Sequence, residues 1–264
     1  MRLLIVVALT LLLAVPGHAI NPVREYLQTP DSLGLTYVQR WIPTTDELRL
    51  NSWMLHPDAA LDNHTTVVVA YGDAGNMSNV LFFSSLLVQR GFTILLFDYR
   101  GFGGSSDFPI EEDFLFYNEF AEDTLAAMRW AKRENTDHSI GIWSFSMGTI
   151  MAAKALQSEP VDFYIGEGVL YDPSWIVGRI REVKKKIVRL PESEELTPRL
   201  YNDLSCKMLL FAGTEDEITT VADSRAVTAM ADDRELVIYK GPHGRGLQTL
   251  RMEYLDRIVA FIKE

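Results

Sequence analysis

The organisation of the chain follows from the stretch Ile140-Gly141-Ile142-Trp143-Ser144-Phe145-Ser146-Met147-Gly148. It opens with an apolar run typical of a strand buried on both faces, and the helix-prone segment Thr149 to Lys154 follows it. A serine on the tight turn between such a strand and helix requires small residues two places before and two places after it. Gly148 meets this requirement, and Ser144 stands where glycine is usual. A serine in this setting can simply cap a helix, but its place after a central strand makes Ser146 a candidate nucleophile.

Similar apolar runs recur on both sides of this stretch and alternate with helical patterns. A hairpin is predicted first, from strands at Leu35 to Pro43 and Glu47 to His56. The alternation predicts an α/β fold with a mostly parallel central sheet, helices on both faces, and reactive groups at the carboxyl ends of the strands. The other predicted strands are Val67–Ala70, Thr93–Phe97, Ile140–Trp143, Val169–Tyr171, Met208–Phe211 and Leu236–Tyr239. The clearest helical stripes are Tyr117, Phe120, Ala121, Leu125 and Met128, and Leu247, Leu250, Tyr254, Ile258 and Phe261.

A serine nucleophile needs a base, and the positions of the histidines narrow the choice. His56, His64 and His138 flank or precede predicted strands, so we expect them at the opposite end of the sheet or on the surface. His243 follows the final predicted strand and precedes the final helix, which places it at the reactive edge. His243 is therefore the candidate base.

A third residue must accept the other N–H of this histidine and stabilise the imidazolium. Asp216 fits best because it follows the next-to-last predicted strand, where the chain order serine, acid, histidine expects an acid. Asp172 also leaves the reactive edge, after the predicted strand that ends at Tyr171, and is the alternative acid.

These residues resemble the α/β-hydrolase superfamily, and within it a serine-aminopeptidase-like branch whose members often carry a His-Gly-Asn-Ala-Gly-Asn loop. The corresponding loop here is Tyr71-Gly72-Asp73-Ala74-Gly75-Asn76. The stretch Asp98-Tyr99-Arg100-Gly101-Phe102-Gly103 is similar to the family's Asp-Tyr-Arg-Gly-Tyr-Gly turn. The resemblance runs from about Val67 to the C-terminus and implies the α/β-hydrolase fold.

The resemblance also implies an oxyanion hole made by the backbone N–H groups of Met147 and Asp73. An aspartate stands here where the family has asparagine, and a carboxylate near a developing oxyanion is unfavourable unless it turns away or is paired. The amide of Ala74 therefore stays open as the alternative donor.

The three candidate residues predict a serine hydrolase that forms an acyl-enzyme: Ser146 attacks a carbonyl, His243 moves the proton and water releases the acyl group. The expected bond is a carboxylic ester in a small-molecule or lipid-like acyl substrate. A thioester or a peptide bond stays open, because the same triad serves all three. A non-catalytic binding protein on the same fold is the alternative from another class, and the intact order of nucleophile, acid and base argues against it.

The first residues predict export. An apolar run from Leu3 to Val15 precedes Pro16-Gly17-His18-Ala19, a small-residue pattern typical of a signal-peptidase site. This run is shorter than the ~20 residues of a membrane-spanning helix, so residues 1–19 are expected to be a cleaved signal peptide, with an uncleaved anchor as the alternative. Residues 20–264 then form one α/β-hydrolase domain. A glycan at the sequon Asn76-Met77-Ser78 would crowd the predicted site, which favours a bacterial periplasmic or extracellular protein.

The composition excludes several partners. Asp and Glu number 36 against 25 Lys and Arg, a net charge of −11, whereas nucleic-acid binding needs a basic face. Gly101, Gly103 and Gly104 lack the third glycine of a dinucleotide fingerprint, since position 106 is Ser106. No cofactor is expected, because acyl transfer needs none, and no spacing of His, Cys, Asp or Glu suggests a metal site.

The segment from Pro173 to Ser205 is longer than a simple loop, and we predict that residues 173–205 form a small cap over the site. It starts with the helical stripe Ile176, Ile180, Val183 and Ile187. Six basic residues on other faces form what we call the basic cluster: Arg179, Arg181, Lys184, Lys185, Lys186 and Arg189. The cluster is either a solvated helix face or a surface that draws anionic substrates or lipid headgroups, so contact with a membrane surface through this segment stays open.

Overall fold

The computed structural model describes residues 19–115, 117–191 and 199–264. The first 18 residues of the predicted signal peptide, and residues 192–198 of the predicted cap, lie outside the described residues.

The strands within the described residues are β1 (Asn21–Pro22), β2 (Thr36–Pro43), β3 (Arg49–His56), β4 (Thr65–Ala70), β5 (Ala74–Gly75), β6 (Thr93–Phe97), β7 (Ser139–Phe145), β8 (Phe163–Glu167), β9 (Lys207–Gly213) and β10 (Arg234–Tyr239). Eight of them form the central sheet, in the order β10-β9-β8-β7-β4-β6-β3-β2. Neighbouring strands of this sheet are parallel except for β3, which is antiparallel to both β6 and β2. A separate two-stranded parallel pair joins β1 to β5.

The helices lie between the strands, as the alternating pattern predicts. They are α1 (Ser78–Val88), α2 (Tyr117–Glu134), α3 (Met147–Leu156), α4 (Pro173–Lys184), α5 (Arg199–Asn202), α6 (Val221–Thr228), α7 (Gly246–Leu250) and α8 (Met252–Lys263), with a short 3₁₀ helix at Pro30–Leu33. The predicted α/β-hydrolase fold with a mostly parallel sheet is confirmed. None of the described helices is both long and apolar enough to span a bilayer.

The apolar runs of the sequence are strands because both faces of the sheet are covered. Every residue of β4 and β6 is buried, which removes the polar alternation of a half-exposed strand. The predicted hairpin is also confirmed: β2 and β3 pair antiparallel, with Thr36 opposite His56 and Pro43 opposite Arg49.

One strand prediction is wrong. The strand after Ser146 is not Val169–Tyr171 but β8, and Gly168, whose φ is 68°, ends it before the apolar run begins. Val169 and Leu170 are buried all the same, beyond the edge of the sheet. The C-terminal helical stripe is likewise two helices, because Arg251 adopts a φ of 55° between α7 and α8.

Candidate active site

Ser146 lies on the turn that joins β7 to α3, in a conformation rare for a residue with a side chain (φ 49°, ψ −122°). A Cβ at Gly148 would come within 2.1 Å of the carbonyl oxygen of Ala70, so only glycine fits there. Ser144 is tolerated at the other position because its buried hydroxyl donates to the Ile165 carbonyl at 3.0 Å. The turn thus presents the Ser146 hydroxyl at the carboxyl edge of the sheet.

The structure brings Ser146, His243 and Asp216 into one hydrogen-bonded chain. Ser146 Oγ lies 2.9 Å from His243 Nε2, and His243 Nδ1 lies 2.6 Å from Asp216 Oδ2. Asp216 follows β9 and His243 follows β10, so neighbouring strands supply both partners. Because an ionised carboxylate only accepts, Nδ1 donates to Asp216, which leaves Nε2 as the acceptor of the serine proton.

The electrostatics of the pair match this tautomer. Burial raises the pKa of Asp216, but hydrogen bonds from His243 and Thr219 outweigh it and leave that pKa below its ordinary value. Burial lowers the pKa of His243, but the bond to Asp216 and its charge outweigh this and raise the pKa overall. The aspartate is therefore ionised at neutral pH and stabilises positive charge on the imidazole.

The alternative acid, Asp172, is used elsewhere. Its Oδ1 accepts from the backbone N–H of Ser174 at 2.9 Å and from the Ser174 hydroxyl at 2.6 Å, so it caps the start of α4. Of the two candidate acids, Asp216 is the one that contacts His243.

Thr219, which the sequence does not single out, contacts both Asp216 and His243. The hydroxyl of Thr219 donates to Asp216 Oδ2 at 2.6 Å and lies 2.9 Å from His243 Nδ1. The backbone N–H groups of Ile218 and Thr219 both donate to Asp216 Oδ1 at 2.9 Å. Asp216 is thus held on both oxygens, which fixes the plane of its carboxylate against the imidazole.

The loop from Tyr71 to Asn76 lies against the nucleophile. A Cβ added at Gly72 would sit 3.5 Å from Ser146 Cβ, a distance of ordinary contact. The loop is held at its far end by the buried side chain of Asn76, whose amide donates to the carbonyls of Val23 and Glu25 at 3.0 and 2.7 Å. The first described residues of the chain therefore position the loop that carries Asp73.

Both candidate oxyanion donors, Met147 and Asp73, line the same cavity as Ser146. The N–H of Met147 is in the first turn of α3 and so has no intrahelical partner. Burial leaves the pKa of Asp73 above its ordinary value, although a hydrogen bond from its own backbone N–H and the charges of His243 and Lys186 offset part of the rise. The raised pKa favours the neutral form of the aspartate that replaces the family's asparagine.

Glu167 at the end of β8 is a second residue that the sequence does not single out. Its Oε1 accepts from Tyr239 Oη at 2.8 Å and from the Gly246 N–H at 2.6 Å, and its Oε2 accepts from Tyr254 Oη at 2.8 Å. Tyr239 and Gly246 bracket the His243 loop, so this buried carboxylate ties the loop to the sheet.

We expect Glu167→Ala to lower the free energy of unfolding by about 3–5 kcal/mol, because it leaves buried donors without an acceptor. Glu167→Gln should cost less than half as much, since the amide oxygen still accepts two of the three bonds. Urea unfolding of the two variants measures the difference. Equal costs for both substitutions would show that the side chain acts through packing rather than through its hydrogen bonds.

Two cavities flank the serine and the histidine. The first, of about 280 Å³, is walled mainly by apolar side chains, with Lys184 and Lys186 at its margin. The second, of about 240 Å³, lies towards Phe83, Trp143 and Leu247. Ser146, His243 and Asp73 line both cavities, so a bond placed at the serine can extend into either.

The described part of the predicted cap forms a wall of the first cavity. Helix α4 contributes Ile176 and Ile180, and the chain after it contributes Lys186 and Val188. The segment is anchored by two members of the basic cluster. Arg179 pairs with Asp223 at α6 (Nη2 to Oδ1, 3.2 Å), and Arg189 pairs with Asp113 (Nε to Oδ2, 2.7 Å).

Comparison with known proteins agrees with this geometry. The family described as the alpha/beta hydrolase fold matches residues 65–177. The esterase Pf2001 of Pyrococcus furiosus superposes with a TM-score of 0.74 at 21% identity, covering 92% of this chain and 98% of that one. The acylaminoacyl peptidase of Pyrococcus horikoshii superposes with a TM-score of 0.66 at 19% identity, covering 87% of this chain and 41% of that one.

Among curated proteins, the lysophosphatidylserine lipase ABHD12 of Mus musculus is 28% identical over 106 residues, which are 39% of this chain and 25% of that protein. The match thus spans about a quarter of the length of that relative. The family match covers less than half of this chain, and the structural neighbours share its fold at 21% identity or less. The fold of the chain is therefore that of the α/β hydrolases.

Proposed function

We propose that the protein is a serine hydrolase that cleaves carboxylic esters through an acyl-enzyme, with Ser146 as nucleophile, His243 as base and Asp216 as the acid that orients it. The hydrogen-bonded chain from Ser146 Oγ through His243 to Asp216 carries the proposal. A binding module on the same fold has no need of three aligned groups in this order.

In the first step His243 Nε2 takes the proton from Ser146 Oγ as the oxygen attacks the carbonyl carbon. The backbone N–H of Met147 and that of Asp73, or of Ala74 in its place, donate to the oxyanion that forms, and each such donor is worth roughly 3 kcal/mol. The protonated His243 then gives its proton to the leaving alkoxide, and the ester C–O bond breaks. His243 then takes a proton from water as the water oxygen attacks the acyl carbonyl carbon. The bond to Ser146 Oγ breaks, the proton returns to Ser146 and the carboxylic acid is released.

An ester is favoured over a peptide bond by the shape and lining of the site. The first cavity is small, near the lower end of the ~300–1,000 Å³ of ordinary ligand pockets, and mostly apolar, which suits an acyl chain. A relative named as a lysophosphatidylserine lipase and a neighbour named as an esterase support the same class. The neighbour named as an acylaminoacyl peptidase keeps amide hydrolysis as the rival to be tested beside it.

Labelling with a fluorophosphonate probe separates an enzyme from a binding protein, since only an activated serine forms the adduct. Purified protein should react at one serine and should hydrolyse acyl esters of graded chain length, while matched thioesters and acyl-peptides are cleaved more slowly. Failure to label, together with no turnover on any of the three bond types, would leave the binding protein as the better proposal.

The substrate class can be narrowed by charge. Lys184 and Lys186 lie at the margin of the first cavity, beside the apolar wall that would hold the acyl chain. In a chain of net charge −11, this places local positive charge where a headgroup would leave the pocket. We propose that the substrate is an acyl ester with an anionic headgroup, presented in solution or at a membrane surface.

Lys184→Gln combined with Lys186→Gln should lower kcat/KM for an anionic ester several-fold at low ionic strength and leave a neutral ester of equal chain length nearly unchanged. The loss should shrink as salt is added, because screening removes the attraction in the wild type as well. Arg181→Gln combined with Lys185→Gln removes the same charge from exposed positions of the cluster and is the matched control. The same loss of kcat/KM in both double variants, or an equal loss on both esters, would show that the basic cluster is only a solvated helix face.

Export to a bacterial periplasm or outside the cell remains part of the proposal. It is supported by the leader-like first 19 residues and by Asn76, whose buried and hydrogen-bonded amide leaves no room for a glycan. Mass spectrometry of the secreted protein should find Ile20 as its first residue.

A further inference from the structure

A second cluster of reactive side chains lies at the end of the sheet opposite Ser146. Strands β4 and β7 are parallel neighbours in which Thr65 pairs with Ser139. His64 and His138 each immediately precede one of these paired residues, so the register sets the two imidazoles side by side. Their ring centroids are 5.3 Å apart.

Asp62 completes a set of three ligand-type side chains. One ligand atom from each of Asp62, His64 and His138 lies within 4.8 Å of the others. In a tetrahedral zinc site the ligand atoms are about 3.4 Å apart, so the three would close by ~1.5 Å at most around an ion. Two of the three lie on the loop before β4 and the third on the loop before β7, where small movements of this size are easily made.

The surroundings of the two imidazoles are those of ligands. His138 Nδ1 lies 2.9 Å from the hydroxyl of Thr66, and His64 Nδ1 lies 3.4 Å from Asp137 Oδ2. Metal-ligating histidines characteristically use their second ring nitrogen in this way, which fixes the tautomer and the ring orientation. Within the described part of the chain, neither Nε2 atom has a hydrogen-bonding partner.

The backbone at His64 is also held in an unusual conformation. Its φ is 55°, in the left-handed region that residues with side chains seldom adopt. Asp62 Oδ1 accepts from the His64 N–H at 2.9 Å, and the His64 carbonyl accepts from the Ser139 N–H at 2.9 Å. Hydrogen bonds to Asp62 and Ser139 therefore fix the backbone of His64 on both of its sides.

From this geometry we propose that Asp62, His64 and His138 bind one divalent transition-metal ion of the kind that prefers imidazole, such as Zn²⁺, with water in the fourth position. The nearby Asp137 adds a second negative charge that compensates the cation. The ion would clamp the loop before β4 to the loop before β7. It would stabilise the sheet at the end remote from the triad, and it takes no part in the proposed hydrolysis.

Calorimetric titration of the chelator-treated protein with Zn²⁺ tests the proposal. We expect saturation at one ion and a rise in the thermal unfolding midpoint. His64→Ala and His138→Ala should each abolish both effects. Thr66→Val, which keeps the shape of a buried side chain and removes the partner of His138 Nδ1, should weaken binding about 10–100-fold. Asp58→Asn, which removes an exposed acid from the same loop, should bind Zn²⁺ as the wild type does.

Two further readouts separate this site from adventitious binding. His243→Ala should keep the full affinity for Zn²⁺, which excludes the triad histidine as the ligand. Cu²⁺ used as a probe should show imidazole nitrogen couplings in its electron paramagnetic resonance spectrum, and these should be lost in His64→Ala. Absence of saturable Zn²⁺ binding, or binding that survives His64→Ala undiminished, would overturn the proposal. Because His64 is exposed, that variant should fold even where His138→Ala does not.

Discussion

Ser146→Ala is expected to abolish ester hydrolysis and fluorophosphonate labelling while the protein still folds. The substitution removes one hydroxyl that points out of the sheet edge towards His243 Nε2. Loss of the nucleophile in the best-measured serine protease costs about 10⁶ in kcat, and a loss of this order is expected here. Turnover of an activated ester, with intact mass after probe treatment, measures both effects.

Ser144→Ala is the matched control, because Ser144 stands two residues before Ser146, on the strand that leads into the turn. Its hydroxyl donates to Ile165 rather than to the base, so its removal should change turnover by less than about tenfold. Hydrolysis by Ser146→Ala at a rate near that of the wild type, or labelling of another serine, would end the assignment of the nucleophile.

Asp216→Asn is expected to lower kcat by about 10⁴, because the amide no longer selects the tautomer in which Nε2 accepts a proton. The residual activity should also change its pH dependence. Asp216 raises the pKa of His243, so its loss lowers that pKa and more of the imidazole is neutral at a given acidic pH. The acidic limb of kcat/KM should therefore move to lower pH in the variant.

Asp172→Asn serves as the comparison, since Asp172 caps α4 and does not contact His243. Because asparagine caps a helix about as well as aspartate does, this variant should change both stability and activity little. If Asp172→Asn proved the more damaging of the two, the acid of the triad would have to be reassigned. An unshifted acidic limb in Asp216→Asn would mean that another group controls it.

The fold could be predicted where both faces of a strand are covered. β6 is buried throughout, and its bounds match the predicted run from Thr93 to Phe97. The prediction failed at β8 because this strand ends in Gly166 and the charged Glu167, and the Glu167 carboxylate is buried through hydrogen bonds from distant residues. The hydrophobic pattern along the chain carries no information about such long-range hydrogen bonds.

The candidate site is likewise only partly predictable from the sequence. Chain order and strand ends are sequence properties, and they suffice to place Ser146, Asp216 and His243 at one edge. Glu167 acts through contacts with residues more than 70 positions away, so nothing near it in the sequence reveals its role. The histidine cluster is hidden for the same reason: His64 and His138 become neighbours only through the register of β4 and β7.

The pairing of β1 with β5 bears on how the protein should be made in the laboratory. Asn21 and Pro22 pair with the loop that lies against Ser146, and the N–H of Asn21 donates to the Asp73 carbonyl at 2.9 Å. An affinity tag fused at this end would crowd the surroundings of Ser146, and trimming the recombinant protein past Pro22 would release the loop. The last turn of α8 instead accepts Lys207 Nζ at the start of β9, remote from the triad. A tag after Glu264 should therefore leave the surroundings of Ser146 undisturbed.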